Sequence, residues 1–521
     1  MLTLIHKELL AHLLSLRLTV ALIFTVVLCV LTTLVGSLEY AARVDAYAAE
    51  VRKEREELEA VTVYRQIDLD LLFPPQPLSI LCRGISETAA YRLGILLDYR
   101  PFPPAPIGNF GGAGSDVMRT LVQADFATVV ALVLSFLAVV LGFDGICGER
   151  EQGTLRLLLA NPVPRAALVL SKLVAGLLSL WVPLALAFIL ALLVMHAVAG
   201  VHLSASDWLR LFLFFLLSCL FLGQIFSLSL MVSAFCRRAA TALVICLFGW
   251  LAGGVGYASV LPSLVRYGVK EEPGYQETLD REAEVWKAFD EAMAAWEKAH
   301  PPPGPAYMKA WEQEDRIRYG RAVGYRWRQQ RTAYEMKQRL DGVAERHRIW
   351  QASLDPLARE AFLIDAGAIL SPFTNYQVLS NYLANTTLEH RFFLRAIGER
   401  YRETFLSYLD GRSAFADRRW FSDDPLDQEP MIPRPEEVTR EMLMPGAPFL
   451  EARLRWVQRQ LIADEGRRKL DLTDLPKLGQ QGRRPVSDSL ALMTPGLSVL
   501  VLLFGLGVLL TVLRFSRYDP L

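Results

Sequence analysis

The sequence predicts an α-helical polytopic membrane protein with six spans, a small α/β insertion and a large, mainly helical one, both extracytoplasmic. Three observations predict it. Six stretches are about 20 residues long, apolar and nearly free of charge, the length an α-helix needs to cross the hydrocarbon core. Long polar blocks separate some of them. The 521 residues combine 52% apolar with 21% charged side chains and a mean hydropathy of +0.27, which suits neither an ordinary soluble chain nor one buried wholly in lipid.

The elements follow in chain order. Residues 1–17 form an amphipathic helix ahead of the first span, 18–38. That span exceeds the usual h-region of a cleaved signal and reads as a retained anchor. Extracytoplasmic residues 39–124 open with a charged helical stretch that extends the first span outward. Val61, Val63, Ile67, Leu69 and Leu71 then alternate with polar residues, a strand signal ended by Pro74-Pro75. A second apolar run, 93–97, precedes a Pro- and Gly-rich return, 101–114. The second span is 125–143, the cytoplasmic loop 144–167, and the next spans 168–198, 208–235 and 239–261. Residues 262–490 are external. Their seams Leu279, Trp286, Phe289, Met293, Trp296 and Met336, Leu340, Val343, His347, Trp350 predict either an antiparallel helical hairpin broken at Pro301–Pro305 or an ordinary helical bundle. A further helix covers 388–409, 412–436 is loop, and 464–489 links to the last span, 491–513. A tail, 514–521, follows.

Lys7, Arg17, Arg150, Arg156, Arg165, Lys172, Arg237, Arg238, Arg514 and Arg517 flank the spans on one side, so both termini are assigned to the cytoplasm. Arg210 is the exception, beside a short outer loop otherwise free of Lys and Arg. Cys82 alone of six cysteines falls outside, so no external intrachain disulfide is expected.

Chemistry is sparse. Lys plus Arg equals Asp plus Glu at 55 each, which argues against a dedicated nucleic-acid binder. There is no G-x-x-x-x-G-K-[ST] phosphate loop, no H-E-x-x-H, no G-x-S-x-G and no C-x-x-C. The seven histidines lack metal-ligand spacing, so no metal site is expected. Gln224 and Ser227 lie three apart on one face of the fourth span. They are candidates for a translocation path or for interhelical hydrogen bonding. Gly249 and Gly253 form G-x-x-x-G in the fifth span, a close-approach pattern.

The loop after the second span carries the strongest signal. It reads Gly148-Glu149-Arg150-Glu151-Gln152-Gly153-Thr154-Leu155-Arg156-Leu157-Leu158-Leu159, then Asn161-Pro162 and Arg165. Its centre predicts a short amphipathic helix with Leu155, Leu158 and Leu159 on one side. Such a helix can lie on the bilayer or dock in a groove of a soluble partner.

This loop resembles the signature region of the ABC-2 type permeases, the membrane subunits of many ABC exporters. The resemblance extends to Lys7-Glu8-Leu9-Leu10, similar to the family's elbow helix, and to the six-span order. Pro74–Gly84 and Phe515–Asp519 are similar to a subgroup with large extracytoplasmic insertions. The resemblance implies the type V exporter-like arrangement in the inner (plasma) membrane and two cytoplasmic ABC ATPase subunits. It also implies a second permease copy or a related one. The 149–159 segment would be the coupling helix, with Glu149, Arg150, Glu151, Gly153, Thr154 and Leu155 meeting the ATPase. Gly249 and Gly253 would lie near the dimer contact. This chain would hold no cofactor, ATP and Mg belonging to the partner. Membrane lipid and a periplasmic protein are further expected partners. Export, or transmission of ATP-driven motion to the external domains without a crossing substrate, are the two functions implied.

Overall fold

The computed structural model describes residues 2–13, 16–84, 91–101, 105–106, 125–155, 164–268, 275–301, 325–421, 469–477 and 482–517, with short pieces between 439 and 455. The expectations for 101–114, the Pro-rich break, 156–159, 422–436 and 464–468 fall wholly or mostly outside these residues. α1 (Leu2–Leu13) precedes α2 (Leu16–Ala60). The spans are the membrane part of α2, then α3 (126–142), α5 (Arg165–Ala199), α6 (Ala205–Phe235), α7 (Ala239–Gly268) and α13 (Val486–Ser516). α4 (Cys147–Glu151) lies in the loop after α3. All six spans are long and apolar enough to cross a membrane.

α3 and α6 form the centre of the bundle: two-thirds of the apolar window of each is buried, against a third or less for the others. Phe126, Phe188 and Phe214 pack there with centroids about 6 Å apart. α3 and α7 each contain a π-helical turn, Val130–Leu134 and Ala252–Gly256. The two spans are joined where Trp250 Nε1 donates to Ser135 Oγ at 2.9 Å. Ser371 Oγ bonds the Gly253 carbonyl inside the second π turn at 2.7 Å. Such turns free backbone groups, and a side chain from elsewhere satisfies one here.

The first insertion begins, as the sequence suggested, with the continuation of α2. At 45 residues α2 is about 67 Å long, so it reaches well past the bilayer. The strand is shorter than the alternation implied. β1 (Leu69–Phe73) pairs antiparallel with β2 (Tyr91–Ile95), and a two-residue β3 (Ala105–Pro106) adds an edge. Residues 61–67 are instead irregular with one turn of 3-10 helix, Tyr64–Gln66.

The second insertion supplies α8 (Tyr275–Ala299), α9 (Tyr325–Asp341), α10 (Val343–Ala368), α11 (Pro372–Ala384) and α12 (Leu388–Gly411). The expected hairpin has a second arm interrupted at Gly342. Arg331 bridges the arms to Glu297 at 2.6 Å, and Trp350 Nε1 donates to Glu282 at 3.0 Å. The two insertions share one core: Leu69, Leu71, Phe73, Leu93 and Ile95 of the sheet pack on Leu394, Ile397, Tyr401 and Phe405 of α12. Arg402 donates to the Leu96 and Leu97 carbonyls, and Arg346 to that of Asp98.

Part of 262–490 does not stand apart from the spans. α11 enters the bundle. Tyr376 stacks on Phe221 at 4.5 Å, and its hydroxyl is 2.8 Å from Ser218 Oγ. Asn375 donates to the Gly496 carbonyl at 2.9 Å. Ser218 lies thirteen residues along α6 from Ala205, about 20 Å from its N-terminal end. α10 and α11 therefore form a re-entrant pair turning near Ser371. Non-spanning backbone at this depth is tolerated where protein surrounds it.

The stretch Pro77–Cys82 also inserts between α2, α6 and α11. Ile80, Leu81 and Cys82 are buried, and Cys82 Sγ donates to Asn381 Oδ1 at 2.8 Å. Asp125 caps α3 by accepting from Thr128 N at 2.7 Å and also accepts from Arg83 N at 2.8 Å.

Candidate functional site

The loop between α3 and α5 is held down at several points. Ser233 Oγ of α6 accepts the N–H groups of Ile146 and Cys147 at 3.0 and 3.1 Å, satisfying donors at the start of α4. Lys172 of α5 is nearly buried, and its ammonium meets Glu149 Oε1 at 2.7 Å and Glu8 Oε1 of α1 at 3.3 Å. One cation thus ties the N-terminal helix, the loop and the third span together. Arg150 Nη1 donates to the Cys236 carbonyl at the C-terminus of α6, at 3.0 Å. Glu151 Oε2 accepts the Ala239 N–H at the start of α7, at 3.0 Å, where the helix dipole favours a carboxylate.

α4 stops at Glu151, and the chain turns through Gln152 and Gly153. Gly153 has φ +76, a conformation that disfavours a side chain. Helical geometry resumes at Thr154, whose hydroxyl donates to the Glu149 carbonyl at 3.2 Å. The expected single helix over 149–159 is therefore broken in its described part, because Gly153 adopts a left-handed turn. Leu155 is buried against Leu168, Val169 and Phe515. Among the described residues 144–155, Glu151, Gln152, Gly153 and Thr154 are the exposed ones.

A sequence model of the ABC-2 family transporter proteins matches residues 2–281, more than half of the chain. The chain belongs to the ABC-2 transporter family. It is a multi-pass membrane subunit of an ABC transporter, and its family works with an ABC ATPase subunit. No curated relative matches it. The match takes in the first five spans, the loop and the first insertion, and ends early in α8.

The other sequence candidates separate in space. Ser227 sits in the seam between α6 and α13, donating to the Gln224 carbonyl at 2.9 Å and meeting the Phe504 carbonyl at 3.4 Å. A Cβ on Gly507 would lie 2.7 Å from the Ser227 hydroxyl, so that glycine permits the contact. Gln224 is fully buried, and neither amide atom has a partner among the described residues. Gly253 packs against Phe373 of α11, with Ser371 adjacent, so its close approach is within the chain. Gly249 faces open space.

Sequence reasoning missed Glu8 and Lys172 as partners of the loop because the two lie 164 residues apart. It flagged Arg210 only as a charge on the wrong side. Arg210 is buried and donates to the carbonyls of Leu383 (2.9 Å) and Arg484 (2.5 Å) and to Ser489 Oγ (3.3 Å). It staples α6 to the end of α11 and the start of α13. Beside it, His390 is 2% exposed, and burial first, then Arg484 and Arg210, lower its pKa to about 3.

Proposed function

We propose that this chain is the permease of an ATP-driven exporter, in which two permeases, identical or related, pair with two cytoplasmic ATPases. Both termini face the cytoplasm of the inner (plasma) membrane, and ATP and Mg bind in the ATPases. The observation that carries the reading is the set of ties on the loop. Glu149 holds it to α5 and α1, Arg150 to α6, and Glu151 to α7. A force on the exposed turn Gln152–Thr154 is then delivered to four elements at once.

This divides the labour among the candidate residues. Gln152, Gly153 and Thr154 meet the ATPase. Glu149, Arg150 and Glu151 pass its movement to the spans, and Leu155 anchors the turn. Gln224 and Ser227 are proposed for the path, and Gly249 for the subunit contact.

The test is co-purification with the ATPase encoded beside this chain, with hydrolysis measured for wild type, Thr154→Trp and Glu149→Gln. Thr154→Trp abolishes association. Glu149→Gln keeps association and loses the permease's effect on hydrolysis. Association that survives Thr154→Trp unchanged contradicts the assignment.

A second reading has its own observation. α2 runs unbroken from the membrane into the external domain, so it can transmit motion outward as a rod. In that case ATP-driven movement works the external domain, or a periplasmic partner on it, and no substrate crosses. A packed seam between subunits without a lipid- or water-accessible path, read by cysteine accessibility along α3 and α7, favours this reading over export.

A further inference from the structure

Three spans end together on the face of the bundle that carries the loop between α3 and α5. α6 closes at Phe235, α7 opens at Ala239 and α13 closes at Ser516. Arg514 of α13 lies over the Phe235 ring, its Cζ 5.5 Å from the centroid, so the end of the last span meets the turn from α6 to α7. That turn carries Arg237 and Arg238, and Arg517 caps α13. All four arginines are exposed.

The charges here do not balance. The described carboxylates of this face are Glu8, Asp144, Glu149 and Glu151, and Lys7, Lys172, Arg150 and Arg165 equal them in number. The four arginines at the meeting point are left over, with no carboxylate partner among the described residues. Glu151, which reaches this turn, accepts the Ala239 N–H at 3.0 Å. Four like charges gathered at the ends of adjoining helices repel one another. A phosphate between them removes that repulsion, and arginine presents the planar fork that fits it. Beneath Arg517, Leu502, Leu506, Leu509 and Leu513 follow one another at spacings of four, three and four. They share one face of α13 and are exposed along about 16 Å of it. Arg517 continues that face one turn on. A soluble anion or an acidic protein surface would engage the arginines alone. A lipid engages the arginines and the leucines together.

We propose that an anionic phospholipid of the leaflet on this side binds at the meeting point. Its phosphate is shared between Arg514 and Arg517 of α13 and the Arg237–Arg238 turn, and an acyl chain lies along the leucine face of α13. The bound lipid ties the last span to the turn between the fourth and fifth. The site depends neither on a path through the spans nor on an ATPase at the loop.

The experiment uses the full chain in phosphatidylcholine nanodiscs carrying a photoactivatable phosphatidylglycerol, with labelled peptides mapped by mass spectrometry. Label is expected in 235–239 and 509–517. The Arg514→Gln/Arg517→Gln protein loses about tenfold or more of that label, as expected for two basic residues at a lipid surface. Lys7→Gln, which removes an exposed cation of α1 from the same face, keeps it. An unchanged elution volume checks the fold of each variant. Replacing phosphatidylcholine by phosphatidylglycerol raises the thermal midpoint of wild type and leaves that of the double variant in place. The proposal is overturned if a photoactivatable phosphatidylcholine labels both segments of wild type equally, a comparison that needs no variant to fold. It is overturned if Lys7→Gln loses as much label as the double variant, which would mean a diffuse field and no site. It is also overturned if inorganic phosphate added to phosphatidylcholine nanodiscs raises the midpoint as much as the anionic lipid does.

Discussion

At the scale of single residues, the informative groups are charges where the environment is mostly apolar. Lys172 compensates two carboxylates, Glu8 and Glu149, at a site where all three side chains are less than a fifth exposed. Lys172→Ala leaves Glu149 without its cation and Glu8 with Lys7 alone, at 3.7 Å. A loss on the order of 3 kcal/mol is expected, read as a lower thermal midpoint, with Lys172→Arg recovering most of it. His390 makes a pH prediction. Its folded pKa, about 3, lies below the ordinary 6.5, so the unfolded chain binds the proton more readily. Its contribution is therefore complete above pH 6.5 and is lost as the pH falls from there towards 3. At pH 5 the loss is about 2 kcal/mol. His390→Leu should flatten the acid side of the stability profile. An unaltered profile would mean that the ring is solvated.

At the scale of elements, the seams between spans depend on a few close approaches. Gly507 lets α13 lie against Ser227, and Gly507→Val is expected to wedge the seam by 1–3 kcal/mol. Reduced yield of folded protein and a lower thermal midpoint check it. The spans themselves were legible because each is a long apolar run, a local property. The re-entrant pair was not. α11 carries Thr374, Asn375, Tyr376, Ser380 and Asn381, too polar for a lipid-facing helix. Thr374 and Ser380 bond carbonyls nearby, and Asn375, Tyr376 and Asn381 are satisfied by partners far along the chain, the Gly496 carbonyl, Ser218 and Cys82. Hydropathy reports exposure to lipid and is blind to a helix enclosed by protein. The loop was legible in part. Its residue types marked it, while the break at Gly153 and the ties of Glu149, Arg150 and Glu151 to the spans depend on tertiary partners.

At the scale of the whole molecule, one continuous helix, α2, links the spans to a core that the two insertions share. The sheet comes from the first insertion and its covering helix, α12, from the second, about 300 residues later. Long-range pairing of this kind leaves no local trace, which is why two regions in the sequence become one body in space. Deleting the second insertion should expose Leu69, Leu71, Phe73, Leu93 and Ile95 together. The remaining first insertion is expected to become protease-sensitive and not to persist as an independent domain. Its survival under limited proteolysis would show that the sheet has a core of its own.

In the proposed mechanism, ATP-driven force enters through the exposed turn and leaves through the Glu8–Lys172–Glu149 tie. The most direct measurement is the ATPase activity of the co-purified complex, wild type against Lys172→Met, with association quantified in both. The account predicts an intact complex in which the permease no longer modulates hydrolysis. An intact complex whose hydrolysis still responds to the permease as in wild type would contradict it.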